Sequence, residues 1–361
     1  MQATNVITRE STGAAGACYQ MPANEHHAVM LHLNENLFLD EASEQALVRE
    51  AMLGDLHRYP PGGDYLLRQA IGEACGISPD AVLPSAGATH AIQHLLLRFV
   101  PVLRTVVLPS PTWSFYAACT AAAGGEVVEV PLRNESGWFE YDLPALDRLL
   151  TAREKALVIV PTPNNPTGHS LPYDDLRRLA LRHPRCLFMI DEAYFGFGDR
   201  DLRAAARHLQ QLDNAVVIRS FSKAYGLAGL RCGFVLAPGA IRQSLAGPFL
   251  PFGLPLWVQR IAAARLRDAS YLSLVRVRCR AAQRALRQAL RGCRTVRAYV
   301  SDANFCLVRT TAGKAAARTQ ALAAAGYVVK QVSHRDLRIT LANPDVMRSV
   351  ARVLRETEDL P

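Results

Sequence analysis

Lysine is scarce in this chain of 361 residues. There are four, Lys155, Lys223, Lys314 and Lys330, so nearly all of the 41 basic side chains are arginine; with 32 acidic residues the net charge is +9. Apart from one run, Arg276 to Arg291, the arginines are scattered. That run reads as the outer face of a helix, unlike the concentrated patch of a nucleic-acid reader, and no nucleic-acid partner is expected. Long apolar runs are missing too. The longest uncharged stretch, Thr105 to Gly125, is broken by Pro109 and Pro111, and the N-terminal residues hold no apolar signal core, so neither a membrane span nor a membrane partner is expected. The eight cysteines form no C-x-x-C pair, which predicts reduced, mostly buried thiols in a cytoplasmic protein. No G-x-G-x-x-G, G-x-x-x-x-G-K or G-x-S-x-G occurs. Glu25, His26, His27 and His32 lie close together without helical ligand spacing, and no metal is expected.

Half the residues are hydrophobic and a fifth are charged, a globular composition with length for two domains. Residues 1–30 read as an irregular arm, and 42–75 as two amphipathic helices around the loop RYPPGGD. Short apolar runs then alternate with helix-length segments: AVLPS, TVVLPS, EVVEVPL, ALVIVPTP, CLFMIDEAY, AVVIRSFS and RCGFVLA. Runs apolar on both faces predict a mostly parallel, buried sheet, and the alternation predicts an α/β fold. Three prolines in PFLPFGLP (248–255) mark a boundary. One long arginine-rich helix is expected over about 257–291, followed by a smaller α/β unit of strands and helices. The expected division is an N-terminal arm and small-domain segment (1–45), a large domain (46–254) and a small C-terminal domain (255–361).

Four segments at the predicted C-terminal ends of strands carry the chemistry, at the edge where open α/β sheets bind ligands. In PSAGATHAIQHLL (84–96) a glycine turn opens a helix, and its free backbone N–H groups suit an anion. PTPNNPTGHS (161–170) makes a turn stiffened by proline and asparagine. In FMIDEAYFGF (188–197) Asp191 ends an apolar strand, where a carboxylate needs a partner, and Tyr194 can turn its hydroxyl to the same place. In RSFSKAYGLAGLRCGF (219–234) Lys223 sits among small hydroxyl residues at a strand end, with Arg231 eight residues on. It is the natural Schiff-base lysine of the four, and the flanking serines and arginine suit a phosphate. A lysine, an aspartate for a pyridinium nitrogen and a phosphate cradle together describe a site for pyridoxal 5'-phosphate.

From LHLNENLF (31–38) to LRITLANPD (337–345) the chain resembles the class I/II, fold-type I aminotransferases, most closely the histidinol-phosphate aminotransferase branch; the order NNPTG, DEAY, SFSKAYGLAGLRCG is specific. The resemblance implies a large domain with a mostly parallel sheet flanked by helices, plus a smaller α/β domain. It implies transfer of an amino group between an amino acid or amino-phosphate donor and a 2-oxo acid. Lys223 would form the internal aldimine and move the proton, Asp191 would pair with the pyridine nitrogen, and Asn165 and Tyr194 would bond the ring oxygen. Ala88, Thr89, Ser220, Ser222 and Arg231 would hold the phosphate, and Trp113 would stack on the ring. Tyr59 would reach the phosphate of a neighbouring subunit, implying a homodimer with shared sites. Asn34, Glu35, Lys330 and Arg338 would face the substrate.

The chain departs from that pattern around the substrate. Leu37 stands where the family motif N-E-N-P has proline, Lys330 where it has arginine, and Leu341-Ala342 where it has glycine-threonine. Lysine keeps the charge and loses the bidentate fork. A lyase, decarboxylase or cyclase of specialised amino-acid metabolism on the same fold is the alternative reading.

Overall fold

A computed structural model describes residues 28–39, 41–51, 57–135, 137–209, 211–245, 252–268, 270–311 and 313–357. Its strands are β1 (Val29–Leu31), β2 (Val82–Ser85), β3 (Thr105–Ser110), β4 (Glu126–Pro131), β5 (Arg133–Glu135), β6 (Trp138–Glu140), β7 (Leu157–Pro161), β8 (Leu187–Asp191), β9 (Ala215–Ser220), β10 (Gly233–Leu236), β11 (Val296–Ala298), β12 (Phe305–Thr310), β13 (Tyr327–Gln331) and β14 (Asp336–Thr340). Its helices are α1 (Glu41–Ala51), α2 (Tyr65–Cys75), α3 (Ala88–Leu103), α4 (Phe115–Ala122), α5 (Leu143–Arg153), α6 (Tyr173–Arg182), α7 (Ala204–Leu209), α8 (Gly239–Leu245), α9 (Leu256–Arg267), α10 (Tyr271–Ala289), α11 (Ala315–Ala324) and α12 (Pro344–Glu356). None of the described helices is long and apolar enough to cross a membrane.

All seven apolar runs of the first region become strands of one sheet, ordered β2-β10-β9-β8-β7-β3-β4. β4, β3, β7, β8 and β9 run parallel, while β10 is antiparallel to both β9 and β2. Alternate residues of β8 enter different cores: Phe188 and Ile190 pack on one face of the sheet, Leu187 and Met189 on the other. Burial on both faces is why these runs carry no polar alternation. β4 differs, since it is an edge strand: half its residues are exposed and the other half partly so.

The second sheet is ordered β1-β13-β14-β12-β11, so a strand from the N-terminal end of the described chain closes the smaller unit. Val29–Leu31 lies at the tail of the segment expected to be irregular; Glu25, His26 and His27 fall outside the described residues. One expectation changes here. The single helix over 257–291 is two helices, because Asp268 Oδ1 accepts the backbone N–H groups of Ser270 (3.1 Å) and Tyr271 (3.1 Å) and so caps a new start. The expected division at 254/255 falls just before α9, and the cores change between α9 and α10. Val258, Ile261 and Ala262 of α9 lie in the larger unit's core, whereas Tyr271, Val275 and Cys279 of α10 lie in the smaller one's.

Candidate active site

Strands β7, β8 and β9 end on one edge of the large sheet, and the strand ends deliver the side chains. Asp191 closes β8 and is buried. Its Oδ2 accepts from Tyr116 Oη at 2.6 Å and its Oδ1 from the Ala193 N–H at 2.9 Å. Burial holds its carboxyl above the usual range, although both hydrogen bonds pull it down. Glu192, the next residue, is equally buried and stands in contrast. Arg219 Nε donates to it at 2.9 Å, Arg200 Nη1 at 3.2 Å, and Tyr173 Oη also donates to it. One of two consecutive buried carboxylates therefore has two guanidinium partners, while the other has a phenol and an amide. Asp191 is short of a cation.

Lys223 lies beyond β9, its Nζ 5.8 Å from the ring centre of Tyr194 and donating to the Leu33 carbonyl at 2.8 Å. Burial, then the Arg338 guanidinium, lowers its pKa from 10.5 to about 8; Arg231 acts in the same direction and Glu35 opposes it. A substantial share of the amine is therefore neutral near pH 8.

The predicted phosphate cradle is assembled from three strands. Ser85 and Ser220 face Gly233 from either side in register, and α3 starts at Ala88 after Gly87, whose φ is 89°. A Cβ at Gly233 would lie 2.9 Å from the Ala88 nitrogen, and one at Gly87 would lie 2.8 Å from Arg231 Nη2. Both glycines thus keep open the space where the helix N-terminus meets the guanidinium. Arg231 Nη1 donates to Ser222 Oγ at 3.1 Å, and Ser220 Oγ accepts from the Ser222 N–H at 3.0 Å. Ala88 and Thr89 occupy the first turn of α3, with its dipole and free N–H groups. The arrangement fits an anion.

Across from this floor, Arg338 on β14 donates through Nη1 to Asn165 Oδ1 at 2.8 Å and through Nη2 to the His32 carbonyl. Lys330 on β13 is its cross-strand partner, and it is exposed. His32 is buried with no hydrogen-bond partner on either ring nitrogen, and burial lowers its pKa, as do Arg338 and Lys330. Glu35 is half-buried and acts in the other direction on His32. Asn34 is not placed as expected. Its side chain is wholly buried, donating to Tyr194 Oη at 2.9 Å and accepting from Thr340 Oγ1 at 3.0 Å. It holds Tyr194 instead of facing the opening, and its left-handed backbone (φ 55°) is one that asparagine tolerates.

Trp113 stacks on Phe115 (centroids 4.6 Å apart) and meets Tyr116 edge-on at 5.5 Å. Tyr59 is 76 % exposed and its ring lies 4.8 Å from that of Phe252, tilted by 32°; Phe252 is itself 53 % exposed. Two residues of the site escaped the sequence reading. Tyr116 follows Trp113 by one helical repeat in SPTWSFY, a spacing that could have exposed it. Arg219, which precedes Ser220 and points the other way along β9, had no local signal.

The family model for aminotransferase class I and II matches residues 28–354. A histidinol-phosphate aminotransferase of Paracoccus denitrificans is 32% identical over 342 residues, covering 92% of this chain and 90% of that protein. One from Pelodictyon phaeoclathratiforme is 29% identical over 320 residues, covering 88% and 87%. The crystal structure of the Sinorhizobium meliloti histidinol-phosphate aminotransferase in complex with pyridoxal-5'-phosphate superposes with a TM-score of 0.81 at 25% identity, covering 92% of this chain and 90% of that one.

Proposed function

The chain belongs to the class I and II aminotransferases, and from that premise we propose that it uses pyridoxal 5'-phosphate to transfer an amino group from histidinol phosphate, or a closely similar amino-phosphate, to a 2-oxo acid. The observation that carries the cofactor is the pair of buried carboxylates. Glu192 is matched by two arginines and Asp191 by none, so Asp191 suits a protonated ring nitrogen. When bound, the cofactor supplies an electron sink for the substrate's α-carbon.

The chain's own groups do the rest. Arg231, Ser220, Ser222 and the N–H groups of Ala88 and Thr89 would hold the phosphate, with Trp113 against the ring and Asn165 and Tyr194 at its oxygen. Tyr116 and the Ala193 N–H keep the Asp191 carboxylate aimed. Lys223, with its amine partly neutral, takes a proton from the substrate and returns it to another atom. Arg338 takes the anionic group of the substrate; Lys330 beside it and Glu35 opposite set the charge of what fits. The named activity of the relatives supports the amino-phosphate.

Tyr59 supports a homodimer with shared sites, because the aromatic pair it forms with Phe252 stands out at this chain's surface. Turnover regained on mixing Tyr59→Ala with Lys223→Ala subunits would confirm it, and none regained would refute it. The buried free thiols of Cys75, Cys186, Cys232, Cys279 and Cys306 suit a reducing compartment such as the cytoplasm.

The deciding experiment mixes the loaded enzyme with single donors and no 2-oxo acid: histidinol phosphate, glutamate, an aromatic amino acid and arginine. One equivalent of oxo product per subunit, formed fastest from histidinol phosphate and then halting, is the expected result. A faster donor replaces the substrate, and continuous turnover or carbon dioxide release overturns transamination.

A further inference from the structure

The arginine run at the end of α10 has no part in the site above. Arg284 and Arg287 lie one helical repeat apart on α10, and Arg291 and Arg294 follow in the turn into β11. With Arg297 of β11 and Arg309 of β12 they line a cleft of about 750 Å³ whose lining contains no aspartate or glutamate. The strand register aggravates the crowding, since Arg297 stands directly opposite Arg309. Like charges so placed repel. The next strand brings Asp336 opposite Arg309, and that carboxylate takes Arg309 through two bonds, at 2.8 Å and 3.1 Å. Among the described residues, no carboxylate lies within 4.0 Å of Arg284, Arg287, Arg291 or Arg294.

Arg297 is seated, not merely present. Its Nη2 lies 1.9 Å from where a Cβ at Gly137 would be, so the absence of a side chain at Gly137 leaves the guanidinium room. Thr295, Thr310 and Thr311 add hydroxyl groups to the lining. Four arginines with no carboxylate within 4.0 Å among the described residues, lining one cleft, would be stabilised by an anion of several charges. The planar fork of arginine meets phosphate oxygens two at a time. The cleft has the volume of a small-ligand pocket and is bounded by a helix end, a turn and a sheet edge, whereas a nucleic acid needs an extended basic stripe.

We propose that this cleft is a second binding site, separate from the catalytic one, for a small molecule that carries several phosphate groups, with ATP as the probe. The proposal does not depend on the reading of the catalytic site.

The test is calorimetric titration of ATP into the full-length, cofactor-loaded protein at about 0.15 M salt, where weak surface attraction is screened. One saturable site per subunit is expected. In Arg287→Ser/Arg291→Ser/Arg294→Ser it should weaken at least about tenfold. The corresponding triple lysine variant should lose less, and Arg231→Lys, which alters the catalytic cradle, should lose nothing. Failure to saturate at millimolar ATP, binding that survives the triple serine substitution, or loss in Arg231→Lys instead overturns the proposal. So does tighter binding of a DNA duplex than of ATP through the same arginines.

Discussion

The two walls of the catalytic site are built differently. The floor comes from neighbouring strands of one sheet, whose ends place Asp191 and Ser220 with Lys223 just beyond. Behind it, the Glu192–Arg219 pair is buried, and Arg219 also donates to the Leu202 carbonyl at 2.9 Å. The opposite wall comes from the other sheet and the segment after β1; it meets the floor through polar bonds (Arg338 to Asn165, Asn34 to Tyr194, Lys223 to the Leu33 carbonyl) and through a core in which Tyr194, Phe197 and Ala224 pack with Leu31, Phe38 and Phe305. One wall is the edge of a single sheet, and the other is hung against it by packing and hydrogen bonds between segments far apart in the chain. The chain's departures from its family pattern, Leu37, Lys330 and Leu341-Ala342, all lie on the hung wall or next to it. Chemistry on the floor and selection on the wall is the division this implies.

Substitutions on the two walls should therefore fail in different ways. Lys223→Ala should lower turnover by about 10⁴-fold, the upper end of what one acid–base group contributes, with the melting temperature little changed. Retained turnover would remove the lysine from the proton path. Arg219→Met attacks the packing behind the floor. It leaves Glu192 buried with Arg200 as its one guanidinium partner and should cost about 3–5 kcal/mol of stability, read from urea unfolding. A loss below about 1 kcal/mol would mean that the floor is not held by this pair.

The hung wall should respond in affinity. Arg338→Ala removes a charged hydrogen-bonding group worth about 1.5–3 kcal/mol, so KM for an anionic donor should rise about 10- to 150-fold. An equal fall in kcat with KM unchanged would move Arg338 to the floor's function. Lys330→Arg keeps the charge and restores a bidentate fork, so its effect should be smaller. A few-fold lower KM for histidinol phosphate than for glutamate would sharpen the division, and identical changes for both donors would break it.

The same difference decides what the sequence revealed. The floor was legible because each of its parts is an uninterrupted motif at the end of an apolar strand, where a polar residue is conspicuous. Asp191 and Lys223 were found in that way. Arg219 was not, because its partner Glu192 lies just past the end of another strand, β8, far from Arg219 in sequence. The hung wall is assembled across long separations. Asn34 and Thr340 are 306 residues apart, so the short motif around Asn34, read as facing the substrate, carried no sign of this bond. The prolines of 248–255 prompted the expected division before α9, whose apolar face lies in the larger core.

The smallest expected effect joins the two walls. The Lys223 amine belongs to the floor, yet its pKa of about 8 owes part of its depression to Arg338 on the opposite wall, while Glu35 works against it. Only the neutral amine attacks an aldehyde, and at pH 7 a pKa of 8 leaves about a tenth of it neutral, against well under a thousandth for an ordinary lysine. The rate at which cofactor-free protein captures pyridoxal 5'-phosphate should therefore rise with pH through about 8 and level off above it. Loss of the Arg338 cation in Arg338→Ala should move that midpoint up, and loss of the Glu35 carboxylate in Glu35→Gln should move it down, each by less than about one unit. Opposite shifts would show that the wall tunes the floor's reactivity through charge alone. A midpoint unmoved in both variants would leave burial and Arg231 as the causes and make the two walls electrostatically independent.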